Sequence, residues 1–146
     1  MFFKESDKMI KLAVFDLDNT LLSTDKTISE ANKEAVKTLR MNGIQVAIAT
    51  GRGFEMAEPF ANEIGLYEGP IVTNNGALIH DLANKRVLKE YLIGHDAQSE
   101  MIDFAYKHDY PFIVYNNEGI HSLENERLKV YESWNIKNPD SESPVT

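Results

Sequence analysis

Leu12-Ala13-Val14-Phe15-Asp16-Leu17-Asp18-Asn19-Thr20-Leu21-Leu22 is an apolar run that stops abruptly at two carboxylates and a threonine. Leu12 to Phe15, with branched and aromatic side chains and no glycine, predicts a buried strand. Asp16 and Asp18 stand at i and i+2, so on a strand they point to the same side. Two like charges on one side of a strand end repel each other. A divalent cation offsets that repulsion, and hard oxygen ligands suit Mg2+.

The chain on either side of this stretch has a regular order. Ser29 offers an N-cap with Glu30 in the first turn. Ile28, Ala31, Ala35 and Leu39 follow at helical spacing, Val36 widens the stripe, and Gly43 closes the helix as residue C′. Ile44 to Ala49 predict a second apolar strand, which ends in Thr50-Gly51-Arg52-Gly53. Met56, Ala57, Phe60 and Ile64 mark a second helical stripe ending near Gly65. Pro59 inside it predicts a late start or a kink. Pro70 to Thr73 predict a third short strand, running into Asn74-Asn75-Gly76-Ala77. Strand, helix, strand, helix, strand is the pattern of a parallel sheet with right-handed crossovers. The fold class is therefore α/β, the front half of a doubly wound core.

The pattern changes after the third strand. Leu78–Leu82 and Val87–Ile93 predict a hairpin around Asn84-Lys85. Ala97, Met101, Phe104, Ala105 and His108 mark a helix stopped before Pro111. Phe112–Tyr115 and Gly119–Leu123 predict a second hairpin, and a short helix is expected near 126–132. The organisation expected is an extension at 1–8, a partial core at 9–81, a mixed β-hairpin and helix segment at 82–134, and a polar, disordered tail at 135–146.

Composition limits what the chain can do. It has 146 residues, of which 42% are hydrophobic, enough to form a core. The formal net charge of −8 disfavours long nucleic-acid backbones, which need a basic footprint. A small phosphorylated substrate stays compatible, since a local metal dominates the field of its site. No apolar run reaches the length of a membrane span. No secretory leader is recognisable, because Met1-Phe2-Phe3 runs at once into Lys4, Glu5, Asp7 and Lys8. Cysteine is absent, which excludes disulfides, thiolate metal sites and a cysteine nucleophile, and fits a cytoplasmic protein. His80, His95, His108 and His121 lack ligand spacing and read as surface or hairpin residues.

Asp16-Leu17-Asp18-Asn19-Thr20 resembles the DxDxT signature of the haloacid dehalogenase (HAD) superfamily of phosphohydrolases. Asn74-Asn75-Gly76-Ala77 resembles the Asn-Gly-Ala segment of its Cof-type branch, in which a large α/β cap follows the third strand. The resemblance spans about residues 9 to 134. It implies a HAD-type Rossmannoid core followed by the start of a cap. It also implies Mg2+-dependent hydrolysis of a small phosphorylated metabolite, a sugar phosphate or a phosphorylated cofactor. Asp16 would be the nucleophile that forms an aspartyl-phosphate, and Asp18 the general acid and base. Mg2+ would bind the Asp16 carboxylate and the Asp18 backbone carbonyl. Many relatives carry glycine where this chain has Asn19, a mild change because Asn tolerates positive φ. Thr50 and the Gly51 N–H would bind a phosphoryl oxygen. Arg52 either reaches the phosphate or solvates a helix start. Thr20 either orients Asp18 or is an ordinary turn threonine. Asn75 reads first as a turn residue, Asn-Gly being a strong turn signal, and second as a substrate contact.

The family pattern also has a lysine near the nucleophile and a later acidic pair, and neither is found in context here. Lys85, Lys89 and Lys107 stand in no matching context. The first strand is central in the family, whereas here one of its edges is left open and apolar, a surface for self-association. This implies a partial product, or a chain completed by another. The competing reading is an inactive remnant or interaction module that binds phosphate weakly. With few protein ligands, Mg2+ affinity is expected to be poor; tight binding in a calorimetric titration would reveal ligands beyond Asp16 and Asp18.

Overall fold

Alternation of side chains in short apolar runs builds the sheet that carries the aspartates. In a computed structural model, residues 10–116 and 119–122 are described, with side chains through residue 114. Strand β1 (Leu12–Phe15) pairs in parallel with β2 (Gln45–Ala49), and β2 with β3 (Pro70–Thr73). The chain then turns back through β4 (Leu78–Asp81) and β5 (Val87–Glu90), each antiparallel to its neighbour. The sheet order is β1-β2-β3-β4-β5. The first predicted hairpin is therefore present, and it extends the sheet. The described residues divide after Tyr91 into two compact units.

Helix α1 (Glu30–Met41) links β1 to β2, and α2 (Phe54–Glu63) links β2 to β3. Right-handed crossovers with this strand order put both helices on one face. Phe15 aligns with Ile48, Ile48 with Ile71, and Ile71 with His80, so these side chains share that face. Val36 of α1 and Ala57 and Ala61 of α2 complete the core with Leu17, Leu21, Leu22 and Ile28. The opposite face of β1 is bare: Leu12 is 51% exposed and Val14 52%. The expectation of a buried first strand is not met, because among the described residues neither its outer face nor its outer edge is covered.

Local signals set the helix ends. The Ser29 side chain accepts from the Asn32 N–H at 3.2 Å, capping α1 as predicted. Gly43, at φ 77°, ends α1 with the Gly43 N–H on Arg40 O and the Ile44 N–H on Leu39 O. Gly65 repeats this double bond at the end of α2, through Asn62 O and Ala61 O. Helix α2 does not start late. It begins at Phe54 and keeps Pro59 inside. The bond lost there would have gone to the carbonyl of Glu55, and both Glu55 and Pro59 are exposed residues.

The second unit consists of α3 (His95–Lys107) and a hairpin of β6 (Ile113–Asn116) with β7 (Gly119–Ser122). Helix α3 stops before Pro111 as expected. Asp109 takes the left-handed position at φ 53°, and the Tyr110 N–H reaches Ala105 O at 2.9 Å. The helix expected near 126–132, the 1–8 extension and the 135–146 tail lie outside the described residues.

His80 is a hairpin residue but not a surface one. It is buried, its Nδ1 lies 3.3 Å from the Thr73 hydroxyl, and its ring lies tilted against Phe54 with centroids 4.5 Å apart. Burial pushes its pKa below the ordinary value, and Glu55 opposes this. The unfolded chain takes up a proton near pH 6.5 that the folded chain refuses, so folding loses stability as pH falls through that value. The thermal unfolding midpoint is expected to drop between pH 7.5 and pH 5.5. The drop should be smaller in His80→Gln; an equal drop would remove His80 as its source.

Candidate active site

Parallel strands deliver their C-terminal ends, and the loops that follow, to the same edge of the sheet. Three such loops meet here. The first follows β1. Leu17 is fully buried and anchors it, and its carbonyl accepts the N–H groups of Thr20 at 3.2 Å and Leu22 at 2.8 Å. Asn19 sits at φ 59°, the tolerance that its side chain suggested. A tight turn follows, in which the Ser23 N–H bonds Thr27 O and the Lys26 N–H bonds Ser23 O. Asp25 accepts the hydroxyls of Ser23 and Thr27, bracing the turn.

The two aspartates have different environments. Asp16 is exposed, and among the described residues no ion pair or side-chain hydrogen bond engages it. Asp18 is held by two cations. Arg52 donates from Nε to Oδ2 and from Nη2 to Oδ1, both at 2.8 Å, and Lys26 Nζ donates to Oδ1 at 2.7 Å. The Arg52 guanidinium holds the Asp18 carboxyl well below the usual carboxylate range, against its partial burial and helped by Lys26. Asp18 is therefore ionised at neutral pH. Thr20 is exposed, and its hydroxyl makes no hydrogen bond among the described residues.

The second loop follows β2. Thr50 is buried; its N–H bonds Val72 O, and its hydroxyl oxygen accepts the Arg52 N–H at 3.2 Å. Arg52 is only 12% exposed, and its guanidinium lies over the Phe60 ring at 5.1 Å. Neither sequence reading of Arg52, phosphate contact or helix-start solvation, anticipated its partner Asp18. The third loop follows β3. Asn74, Asn75 and Gly76 take three successive positive φ values, 52°, 55° and 94°. This shape docks the loop on the second one: the Asn74 N–H bonds Arg52 O at 2.9 Å and the Asn75 N–H bonds Thr50 O at 3.2 Å. The Asn75 side chain then packs on Gly51, where an added Cβ would lie 2.8 Å from Asn75 Oδ1. Asn75 is a turn residue whose side chain also lies against Gly51.

Lys26 is the charged residue that the sequence reading missed. Its signal was the Ser23-Thr24-Asp25-Lys26-Thr27 run, rich in turn formers, directly after the acidic motif. The nominated lysines of the first unit are engaged elsewhere: Lys85 pairs with Glu58 at 2.9 Å, and Lys89 lies over Tyr91. Lys107 ends α3 in the other unit.

As a donor set, Asp16 offers an unpaired carboxylate and Asp18 a backbone carbonyl, both hard oxygens. Among the described residues, no group of three or more His, Asp or Glu side chains could enclose a metal ion. This suits Mg2+ only in its looser mode, with one or two carboxylates and the remaining positions filled by water and substrate phosphate.

Residues 13–145 match the pattern of haloacid dehalogenase-like hydrolases. The chain belongs to this family. HAD-like relatives include the 5-amino-6-(5-phospho-D-ribitylamino)uracil phosphatase YwtE of Bacillus subtilis, 29% identical over 87% of this chain and 43% of the relative. An HMP-PP phosphatase of Serratia proteamaculans is 30% identical over 76% of this chain and 40% of the relative. Among solved structures, a haloacid dehalogenase-like hydrolase from Bacteroides thetaiotaomicron superposes with a TM-score of 0.73 at 26% identity, covering 90% of this chain and 50% of that one. The chain spans about half the length of the HAD-like relatives it matches, or somewhat less. No helix among the described residues is long and apolar enough to cross a membrane.

The contact at Gly51 can be tested by substitution. Gly51→Ala is expected to destabilise the fold by about 1–2 kcal/mol, as overpacking does. Adding Asn75→Ala in the same chain should recover most of that loss, a non-additivity read from urea unfolding. Additive losses would show that the two loops do not touch as described.

Proposed function

We propose that this chain is a phosphomonoesterase that works through an aspartyl-phosphate on Asp16. The observation that carries this reading is the contrast between the two aspartates. A nucleophile needs an unpaired, accessible carboxylate, and among the described residues nothing pairs with the exposed Asp16. Asp18 is pinned in a two-pronged ion pair and is a poor nucleophile.

In the first step an Asp16 oxygen attacks phosphorus and the ester P–O bond breaks. The leaving alkoxide takes a proton from Asp18. In the second step water attacks the phosphorus of the acyl phosphate, gives a proton to Asp18, and frees inorganic phosphate and the Asp16 carboxylate. Asp18 is ionised before substrate arrives. An approaching phosphoryl dianion competes for its two cations, which raises its affinity for the proton that the first step requires.

The Thr50 hydroxyl uses its oxygen to accept from Arg52, which leaves its own proton for a phosphoryl oxygen. The bare Gly51 backbone lets that oxygen approach its N–H. Asn75 limits the pocket on that side, and Arg52 adds positive potential. Mg2+, held by the Asp16 carboxylate and the Asp18 carbonyl, would offset the repulsion between the nucleophile and the anionic phosphate. The substrate class is a small phosphorylated metabolite. Support comes from relatives named for a phosphorylated ribitylaminouracil and for HMP-PP.

The test is Mg2+-dependent hydrolysis of p-nitrophenyl phosphate by the chain at verified intact mass, beside Asp16→Asn. The expected result is turnover in the parent and its loss, by about a thousandfold or more, in the variant. Turnover that survives in Asp16→Asn removes Asp16 as nucleophile. No turnover in the parent removes the phosphatase reading for this chain.

A further inference from the structure

We propose that Lys26 is a phosphate-binding residue of this site, the cation that moves from Asp18 to the phosphoryl oxygens of an incoming phosphomonoester. The proposal rests on the phosphatase reading and adds a residue to it.

Three observations carry it. The first is redundancy. Arg52 already donates to both Asp18 oxygens, and Lys26 adds a second donor to Oδ1, which Arg52 also serves. One carboxylate thus accepts from two cations, and Asp18 Oδ1 keeps its Arg52 contact when Lys26 leaves it. The second is inequality between the cations. Arg52 is fixed by its fork, by the Phe60 ring and by burial. The Lys26 side chain is 29% exposed against 12% for Arg52, and its ammonium makes a single contact among the described residues. Lys26 is the cation that changes partner at least cost, because its flexible stem and rotatable donors are built for point-charge contact.

The third is the backbone. Lys26 stands at φ 62°, a left-handed conformation that a residue with a Cβ adopts only at a cost. The braced turn imposes it, through the Lys26 N–H on Ser23 O and the Asp25 network. Its result is to send the lysine side chain back to Asp18, eight residues earlier. Strain of this kind persists where the direction of a side chain matters. Lys26 thereby brings to the motif a positive charge that Lys85 and Lys89, engaged elsewhere, do not.

The experiment is a titration of the full chain with inorganic phosphate in Mg2+-containing buffer, followed by phosphorus NMR. Variants Lys26→Met, Lys26→Gln and Lys26→Arg are compared, each with its thermal unfolding midpoint. Loss of a charge-assisted contact should weaken phosphate binding about tenfold in the Met and Gln variants, and Lys26→Arg should restore it to within about threefold of the parent. Midpoints are expected to stay within about 2 °C, since Arg52 alone keeps Asp18 bound. A Lys26 with a purely structural part would lower the midpoint and leave phosphate affinity unchanged, and that result overturns the proposal. So does a parent chain that binds no phosphate.

Asp16→Asn separates this idea from the reading beneath it. If Asp16 faces the phosphate, removing its charge strengthens binding. If it does not, and the Lys26 variants still bind weakly, the nucleophile assignment fails while Lys26 stands.

Discussion

The two-pronged ion pair from Arg52 to Asp18 is the contact on which the site depends. Asp18 belongs to the loop after β1 and Arg52 to the loop after β2, 34 residues apart. The Arg52 carbonyl also accepts the Asn74 N–H, so one residue ties all three loops together. Exposed ion pairs contribute little to stability, but a bidentate arginine that is mostly buried and stacked on an aromatic ring has a defined geometry. Removing either partner leaves a charge without its counter-charge in a partly dry place. The pair also gives the two aspartates different environments, since it engages Asp18 and, among the described residues, leaves Asp16 without an ion pair.

The sheet brings these loops together. Parallel pairing of β1 with β2 and of β2 with β3 aligns their C-terminal ends, and the buried Ile48 and Ile71, with the half-buried Phe15 beside them, set the register on one face. A one-residue slip would turn that set outward. The antiparallel return through β4 then fixes the left-handed Asn74-Asn75-Gly76 turn beside Gly51. The site is therefore a product of register, with each loop held by backbone bonds and by one buried or charged side chain.

Much of this was legible in the sequence because it is local. Ser29, Gly43 and Gly65 announce helix ends through capping chemistry that spans only a few residues. The alternation of strand residues and the Asn-Gly turn are equally short-range. The acidic motif and the Thr50-Gly51 pair are recognisable from spacing. Contacts between distant residues were not legible. Nothing near Arg52 announces Asp18, and Lys26 reads as a turn residue until its φ angle sends it back to the motif. His80 looks like a polar hairpin residue until Thr73 and Phe54 enclose it. Pro59 suggests a late start or a kink, yet α2 begins at Phe54 and carries Pro59 on an exposed position. Leu12 and Val14 looked like core because composition does not say which face of a strand has a neighbour.

The strand order divides the sheet by the sequence separation of its pairings. β3, β4 and β5 pair across short turns, so their contacts form between residues that are close along the chain. β1 meets β2 by bringing Leu12 to Gln45, and β2 meets β3 by bringing Ile48 to Ile71. Each closure gives up chain entropy before any ladder bond compensates. Asp16, Asp18, Thr50 and Arg52 all lie on this long-range side of the sheet. The candidate site thus draws on pairings of large sequence separation, and the local β-meander contains Asn75 but none of these four residues.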